Sequence, residues 1–313
     1  MNLKKIEEII TNYKSIVIFH HINPDGDCLG SQFGLKELII DNFPEINVYA
    51  IGDSKNVLPF LDFKHDEIPS EEILTKSLGI VVDANFLNRI QNSELIMGGK
   101  IKNILRIDHH IGGDDLKPIY SWVDQNYCAS AEQIAELAIE LKWKISKKAA
   151  TYIYLGIYTD SGRFFFDKTS ARTFKLVSKL LKTNFDVQFI HNNLSKRTQK
   201  EITFQKEVLN NYGVKGNTIY FFLSYEKIKE LNISEENRNR VDFLANIQPY
   251  TIWIFFIEQE NGDIRVRLRS SIHNVHQIAK EYGGGGHEKA CGAIIKTKKE
   301  MNEIIEKANQ ISK

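Results

Sequence analysis

The sequence has no excess of either charge, few cysteines and no long apolar run. Its 313 residues include 41 lysines and arginines and 40 aspartates and glutamates, which leaves a net charge of +1. A chain without a broad excess of positive charge cannot grip long duplex DNA through its phosphates alone, so any site for a polyanion must be local. No run approaches the ~20 apolar residues that a membrane-spanning helix needs.

The cysteines are Cys28, Cys128 and Cys291, and no two of them form a CxxC pair. Their odd number argues against a disulfide framework and favours a reducing compartment. The first residues, MNLKKIEEIITNYK, have the pattern of a charged amphipathic helix rather than that of a signal peptide. We therefore expect a cytoplasmic protein.

Short apolar runs alternate with helical stretches in the first half of the chain. SIVIF (15–19), LGIVV (78–82) and IKNILRI (101–107) have the length and composition of buried strands. This alternation predicts an α/β domain with a doubly wound, mainly parallel sheet.

The pattern changes after about residue 188, where a polar, helix-compatible stretch precedes strand-like runs such as IRVRLRSS. We predict an N-terminal domain over residues 1–188, a helical linker over 189–208 and a smaller α/β domain with a mixed sheet over 209–313. A cleft between the two domains is expected. The alternative for the linker is a surface helix within one domain.

Histidines and aspartates follow three of the predicted strands, and one more aspartate ends a predicted helix. In an open parallel sheet the carboxyl ends of the strands meet at one edge, where ligands bind. Separate loops therefore bring carboxylates and imidazoles to one place. The side chains in question are His20, His21, Asp25, Asp27, Asp83, Asp108, His109, His110 and Asp160.

Each of these residues taken alone has an ordinary explanation. Pro24, Asp25 and Gly26 are typical turn residues, and Asp27 could serve as a helix N-cap. The repetition of such clusters after three strands favours a metal site instead. Carboxylates packed this closely repel one another, and their pKa values rise unless cations hold them ionised.

The type and number of these ligands indicate which metal they suit. Carboxylates mixed with imidazoles favour Mn²⁺, with Mg²⁺ or Co²⁺ as substitutes. There are more candidate ligands than one ion needs. Two ions ~3.5–4 Å apart fit the two-metal scheme of phosphoryl hydrolysis, in which no protein nucleophile is required.

Four segments, in this order, resemble the motifs of the DHH phosphoesterase family: HINPDGDCLGS, VVDAN, DHH and YTDSGRF. Near the end, YGGGGHEKACGA resembles the glycine-rich motif of the DHH-associated C-terminal domain. The resemblance spans nearly the whole chain. It is strongest to two-domain members that degrade very short RNA and also remove phosphate from 3′-phosphoadenosine-5′-phosphate (pAp).

The resemblance implies roles for individual residues. It assigns six metal ligands, which are His21 and Asp25 for one ion, Asp27, His109 and Asp160 for the other, and Asp83 between the two. Asp108 is expected to orient a ligand histidine rather than to bind metal. His110 is expected to face the phosphate or the leaving group. His20 precedes the histidine that matches the family motif and is interpreted as structural.

The C-terminal part carries the candidate substrate contacts. RVRLRSS places Arg265, Arg267 and Arg269 on one face of a strand, which favours a phosphate-binding strip; the alternative is a solubilising surface. In GGGGH (283–287) the backbone can approach a ligand closely. The resemblance makes the likeliest contacts Arg269, Gly285, Gly286 and His287, with Arg267 beside them. Ser130 is either a further contact or the cap of its helix.

These expectations lead to a manganese-dependent phosphoesterase with two Mn²⁺ per subunit. We expect it to hydrolyse short single-stranded RNA or DNA, two to five nucleotides long, and to act on pAp. Two alternatives stay open: a phosphodiesterase of linear or cyclic signalling dinucleotides, and a non-catalytic nucleotide-binding regulator. No membrane partner is expected, and a homodimer is one of the oligomeric states left open.

Overall fold

A computed structural model describes residues 2–110, 112–238 and 240–313. The chain divides into two compact units, residues 1–195 and 196–313. Within the described residues, no helix has both the length and the apolar character needed to cross a bilayer.

The described residues of the N-terminal unit form a five-stranded sheet in the order β2-β1-β3-β4-β5. Its strands are β1 (Ser15–Phe19), β2 (Asn47–Ala50), β3 (Leu78–Val82), β4 (Asn103–Asp108) and β5 (Tyr120–Val123). All neighbouring strands pair in parallel. The predicted α/β class with a mainly parallel sheet is confirmed, and the structure shows why the strand ends share one edge.

Helices accompany this sheet along the chain. They are α1 (Leu3–Thr11), α2 (Gly26–Asn42), α3 (Glu71–Leu74), α4 (Glu94–Met97), α5 (Ser130–Glu140), α6 (Lys147–Asp160), α7 (Ala171–Leu181) and α8 (Val187–Ser195). A short 3-10 turn covers Leu87–Arg89.

Side chains alternate between the two faces of the sheet, as the pleat requires. On β1, Ile16 and Ile18 belong to the larger core with α2, α5 and α6, whereas Val17 and Phe19 belong to a smaller core on the other side. Both faces are therefore buried, and every residue of β1 and β3 is buried.

Glycines bring α2 and α6 close together. A methyl group on Gly30 would lie 2.5 Å from the backbone carbonyl oxygen of Tyr152, and one on Gly156 would lie 3.3 Å from the Cα of Asp27. The close contact fixes the start of α2 against the end of α6. Asp27 and Asp160 stand at these two ends.

The C-terminal unit is built on a mixed six-stranded sheet of the described residues, in the order β10-β11-β9-β8-β7-β6. The strands are β6 (Gly213–Lys215), β7 (Thr218–Leu223), β8 (Ile252–Glu258), β9 (Ile264–Ser270), β10 (Gly285–His287) and β11 (Ala290–Ile295). Only β7 and β8 pair in parallel among these described strands. The prediction of a mixed sheet is confirmed.

The helices of this unit are α9 (Gln199–Asn211), α10 (Tyr225–Glu230), α11 (Glu235–Arg238), α12 (His276–Glu281) and α13 (Lys298–Ile311). A 3-10 turn covers Val241–Leu244. The stretch predicted as a linker coincides with α8 and α9. Ile190 of α8 is buried in the core of the N-terminal unit, and Phe204 of α9 is buried in that of the C-terminal unit.

Candidate active site

The loop after β1 leads directly into the first turn of α2. Asp25 is the N-cap: its Oδ1 accepts hydrogen bonds from the backbone N–H groups of Asp27 (3.0 Å) and Cys28 (3.1 Å). The alternative in which Asp27 caps the helix is therefore wrong. The other carboxylate oxygen of Asp25 lies 3.5 Å from Nε2 of His21, so one side chain both starts the helix and faces the site.

Asp27 points instead at the start of α5. Its carboxylate accepts hydrogen bonds from the backbone N–H groups of Ser130 (2.7 Å) and Ala131 (2.8 Å). These N–H groups have no partner inside their helix, and the positive end of the helix dipole favours a negative charge there. The completely buried carboxylate is thus oriented by the backbone at the start of α5.

Asp83 is the centre of the cluster. Its Oδ2 lies 3.4 Å from Nε2 of His21, and its Oδ1 lies 3.4 Å from Nε2 of His109 and from Nδ1 of His110. The backbone at Asp83 has φ +56°, an unusual conformation for a residue other than glycine. Its N–H donates to the carbonyl oxygen of Ile107 (3.0 Å), which ties the end of β3 to β4.

His109 lies close to carboxylates from three separate parts of the chain. Besides Asp83, its Nε2 lies 3.6 Å from Asp27 and 3.4 Å from Asp160 at the end of α6. The other ring nitrogen, Nδ1, lies 3.3 Å from the carbonyl oxygen of Tyr127. Nδ1–H donates to that carbonyl in the tautomer that leaves the lone pair of Nε2 available to bind a metal.

Asp108 contacts His110, whereas the contact of Nδ1 of His109 is with the carbonyl oxygen of Tyr127. Its Oδ1 lies 2.8 Å from Nδ1 of His110 and accepts the His110 backbone N–H at 3.1 Å. Asp108 was expected to orient a ligand histidine, but its contacts are with a histidine outside the six proposed ligands. The histidine that it orients is the half-buried His110.

The two remaining sequence interpretations concern His20 and Ser130. His20 is fully buried, its Nδ1 lies 2.9 Å from the carbonyl oxygen of His21, and burial lowers its pKa to about 3. Those features fit a structural histidine. The helix-cap alternative for Ser130 is wrong, because Ala129 occupies the cap and the Ser130 hydroxyl donates to Asp83 (3.1 Å).

The pKa values of the carboxylates in this cluster are shifted in the way expected for a site that binds a cation. Burial raises the pKa of Asp27 well above its usual range, with the charges of Asp83 and Asp160 adding to the effect. Burial likewise raises the pKa of Asp160 to about 6. The pKa of Asp83 is lowered, because hydrogen bonds with His109 and His21 outweigh its burial. Carboxylates that repel in this way are stabilised by a bound cation.

Three sets of side chains place one potential ligand atom each within 4.8 Å of one another: His21, Asp25 and Cys28; Asp83, His109 and His110; and Asp27, His109 and Asp160. Cys28 is the weakest donor among them, because burial raises the pKa of its thiol to about 12. The remaining oxygen and nitrogen donors suit a hard divalent cation.

The C-terminal unit contains a separate basic groove. Arg265, Arg267 and Arg269 are half-buried and alternate with fully buried residues of β9. They line a groove of about 730 Å³ together with Gly283, Gly284 and Gly285. Burial and the neighbouring guanidinium group lower the pKa of Arg267 and Arg269. Three cations held this closely favour an anionic ligand.

The strand β10, which begins at Gly285, forms a tight hairpin with β11. Gly286 has φ +131°, and a methyl group there would lie 2.7 Å from the carbonyl oxygen of Ala290. A side chain at this position would be strained and crowded. His287 is exposed, and Arg269 donates from Nη1 to the carbonyl oxygen of Leu268 (2.8 Å).

One charged residue of the site escaped the sequence analysis. Arg106 is buried within β4, where its guanidinium forms an ion pair with Asp108 and another with Asp114. The available signal was a single arginine inside the apolar run IKNILRI, because a buried charge survives in a strand only when it is paired.

Comparisons with known proteins agree with this architecture. Residues 15–157 match the model of the DHH family, N-terminal domain, and residues 219–313 match that of the DHHA1 domain. Proteins named "Bifunctional oligoribonuclease and PAP phosphatase NrnA" from Mycoplasma genitalium and Mycoplasma pneumoniae are 43% and 42% identical to the chain. These alignments cover 95% of the chain, and 93% and 92% of the two relatives.

Among solved structures, the fold is similar to that of an exopolyphosphatase-related protein from Bacteroides fragilis. The TM-score is 0.83 at 22% identity, over 98% of this chain and 95% of the other. Together the two domain matches and the full-length relatives identify the class of protein, and the prediction of an enzyme is confirmed. The chain belongs to the DHH family of metal-dependent phosphoesterases.

Proposed function

We propose that the chain is a manganese-dependent, two-metal phosphoesterase. It hydrolyses oligonucleotides of two to five nucleotides to mononucleotides, and it removes phosphate from pAp. The observation that carries the proposal is the convergence of carboxylates on His21 and His109 around Asp83, all at distances between 3.4 and 3.6 Å. The names of the two mycoplasma relatives support both activities.

Six side chains would hold the two ions. We assign His21 and Asp25 to one ion, Asp27, His109 and Asp160 to the other, and Asp83 to both. Support for a bridging Asp83 comes from its two oxygens, since one faces His21 and the other faces His109. When bound, two divalent cations supply an activated water and neutralise charge on the phosphoryl group.

The other residues of the site act on protons and orientation. Asp108 accepts from Nδ1–H of His110, so that Nε2 of His110 is the nitrogen available to the phosphate or to the leaving oxygen. The Ser130 hydroxyl donates to Asp83 and restrains one carboxylate oxygen. In this proposal no side chain of the protein forms a covalent intermediate.

The C-terminal unit would read the rest of the substrate. Its proposed contacts are Arg267, Arg269, Gly285, Gly286 and His287, of which the two arginines and Gly285 line the basic groove. An arginine presents several donors in a planar fork that matches phosphate oxygens. Binding energy from this remote contact would position the scissile phosphate and so favour short nucleotide substrates.

A turnover panel with Mn²⁺ tests the proposal. The substrates are pAp, RNA of two to five nucleotides, a 24-nucleotide RNA, linear pApA and cyclic di-AMP. We expect release of mononucleotides from the short RNAs and of phosphate from pAp, with much slower turnover of the long RNA. Preferential cleavage of cyclic di-AMP or pApA would instead assign the enzyme to signalling dinucleotides, and equal turnover of the 24-nucleotide RNA would contradict the length preference.

A further inference from the structure

Arg106 places a guanidinium group in the middle of an apolar strand. Its side chain is 1% exposed. Residues two apart on a strand share a face, so Arg106 and Asp108 point to the same side of β4, where the smaller core of the N-terminal unit lies. Burial of a guanidinium is costly unless its donors are satisfied, and this one has acceptors on three segments of the chain.

The three acceptors belong to three different parts of the site. Nε donates to the backbone carbonyl oxygen of Ala84 (3.2 Å) and to Oδ2 of Asp108 (3.2 Å), and Nη2 donates to the same Asp108 oxygen. Nη1 donates to Oδ2 of Asp114 at 2.7 Å. One side chain thus joins the turn after β3, the end of β4 and the loop that follows His110.

The contact with Ala84 bears directly on Asp83. With φ +56°, Asp83 has a left-handed backbone that an aspartate keeps only where its surroundings fix it. Two groups of β4 do so: the carbonyl oxygen of Ile107 accepts the Asp83 N–H, and Arg106 holds the carbonyl of the next residue. The strained turn is fixed on both sides of the residue whose carboxylate faces both His21 and His109.

The contact with Asp108 bears on His110. Asp108 uses one oxygen for Arg106 and the other for the backbone N–H and Nδ1 of His110. The guanidinium therefore fixes the carboxylate that sets the orientation and tautomer of this ring. Asp114 is itself held by the backbone, because the oxygen that does not contact Arg106 accepts the backbone N–H of Leu116 (3.1 Å).

We infer that Arg106 is a positioning residue for the phosphoesterase site, acting through Ala84 on Asp83 and through Asp108 on His110. The inference rests on the proposed metal-binding function. It also requires arginine in particular. A lysine has one compact ammonium on a flexible stem and cannot present a rigid fork to Ala84, Asp108 and Asp114 together.

The test compares Arg106→Lys with Asp114→Asn, and uses Arg240→Lys as the matched control. Arg240 is also a forked arginine, with contacts to Glu201 (2.8 Å) and Asp242 (2.9 Å), and it lies in the C-terminal unit. Two quantities are measured on each protein: the affinity of the metal-free chain for Mn²⁺, from the electron paramagnetic resonance signal of free Mn²⁺, and the kcat and KM for a dinucleotide.

We expect Arg106→Lys to weaken Mn²⁺ binding about 10- to 100-fold and to lower kcat more than it raises KM. Asp114→Asn removes the negative charge of one of the three acceptors and so weakens that contact, and it should produce smaller losses in the same direction. Arg240→Lys should behave as the parent protein. A purely structural role would lower the melting temperature of Arg106→Lys and leave Mn²⁺ affinity and kcat unchanged below that temperature, and this result would overturn the inference.

If Arg106→Lys does not fold, the test rests on Asp114→Asn. Unchanged Mn²⁺ affinity together with unchanged kcat in this folded variant would reject the inference. Failure of the proposed function has a different signature, because it appears already in the unmodified protein. A parent chain that binds no Mn²⁺ contradicts the metal site itself. One that binds Mn²⁺ without cleaving dinucleotides contradicts only the substrate, and the affinity comparison still applies.

Discussion

At the residue scale, the site depends on side chains that each perform two tasks. Asp25 caps α2 and faces His21, and Asp27 holds the start of α5 and faces His109. The same contacts that fold the local backbone therefore preorganise the cluster. Because these carboxylates are bound to backbone N–H groups, they keep their orientation before a cation arrives.

Asp83 provides the clearest test at this scale. We expect Asp83→Ala to abolish hydrolysis and to reduce the content of bound Mn²⁺, because the substitution removes a carboxylate that lies beside both His21 and His109. The measurements are the turnover of pAp and the metal content by atomic absorption. Circular dichroism provides the check on folding, and Ser93→Ala, at a buried serine of the same unit, provides the comparison. Near-normal turnover of folded Asp83→Ala with Mn²⁺ would be incompatible with the two-metal site.

At the scale of elements, the close contact of α2 and α6 controls the separation of the two helix ends that carry Asp27 and Asp160. It depends on glycines that leave no room for a side chain. Close packing therefore explains the glycines in these helices, although glycine ordinarily weakens a helix interior.

We predict that Gly30→Ala lowers the free energy of unfolding by about 2 kcal/mol, because the new methyl group would lie 2.5 Å from the Tyr152 carbonyl oxygen and force the helices apart. Urea denaturation measures the effect. The matched control is Gly113→Ala, where nothing lies within 4 Å of the new methyl group, and a change within about 0.5 kcal/mol is expected. Equal stability of the two variants would show that the helices adjust without cost.

The strand β9 and the hairpin of β10 and β11 form the element that we propose to bind substrate. We expect Arg269→Ala and His287→Ala to raise the KM for dinucleotides and to leave bound Mn²⁺ unchanged. The reason is that contacts made equally in the ground state and the transition state affect KM rather than kcat. Lys299→Ala, which removes an exposed charge elsewhere in the same unit, controls for a general effect of charge. Loss of bound Mn²⁺ in either variant would argue against a role limited to substrate binding.

At the scale of the whole molecule, the division into two units separates the proposed chemistry from the proposed recognition. All six proposed ligands lie within residues 1–195, and the arginine groove lies within 196–313. We retain the proposal of a catalytic domain over residues 1–188 and a substrate-binding domain over 209–313. For dissection, the observed end of α8 at Ser195 is the better boundary, because Ile190 belongs to the N-terminal core.

A fragment of residues 1–195 should therefore bind Mn²⁺ and slowly cleave a generic phosphodiester such as bis-p-nitrophenyl phosphate. It should lose the preference of the full chain for dinucleotides over that compound, because it lacks the groups that would supply remote binding energy. Circular dichroism establishes first that the fragment is folded. A folded fragment with an undiminished preference would place substrate recognition within the N-terminal unit.

The sequence by itself determined the class of fold and the place where polar groups collect. Apolar runs of strand length, each followed by aspartate or histidine, were sufficient to predict a parallel sheet with ligands at one edge, because strand direction fixes which ends meet. The two-unit architecture and the mixed second sheet were also predictable from the change in pattern. The assignment of each ligand to an ion stays a prediction.

Only the tertiary structure decided the contacts between residues far apart in sequence. Strand periodicity says which face Arg106 occupies, but its three acceptors lie on segments whose spacing depends on how β3, β4 and their loops pack. The same holds for Asp27, whose carboxylate meets the backbone of residues 130 and 131 only because α2 and α5 converge. Periodicity is a property of neighbouring residues, whereas the partner of a buried charge depends on the global arrangement of the chain, which satisfies most buried donors and acceptors.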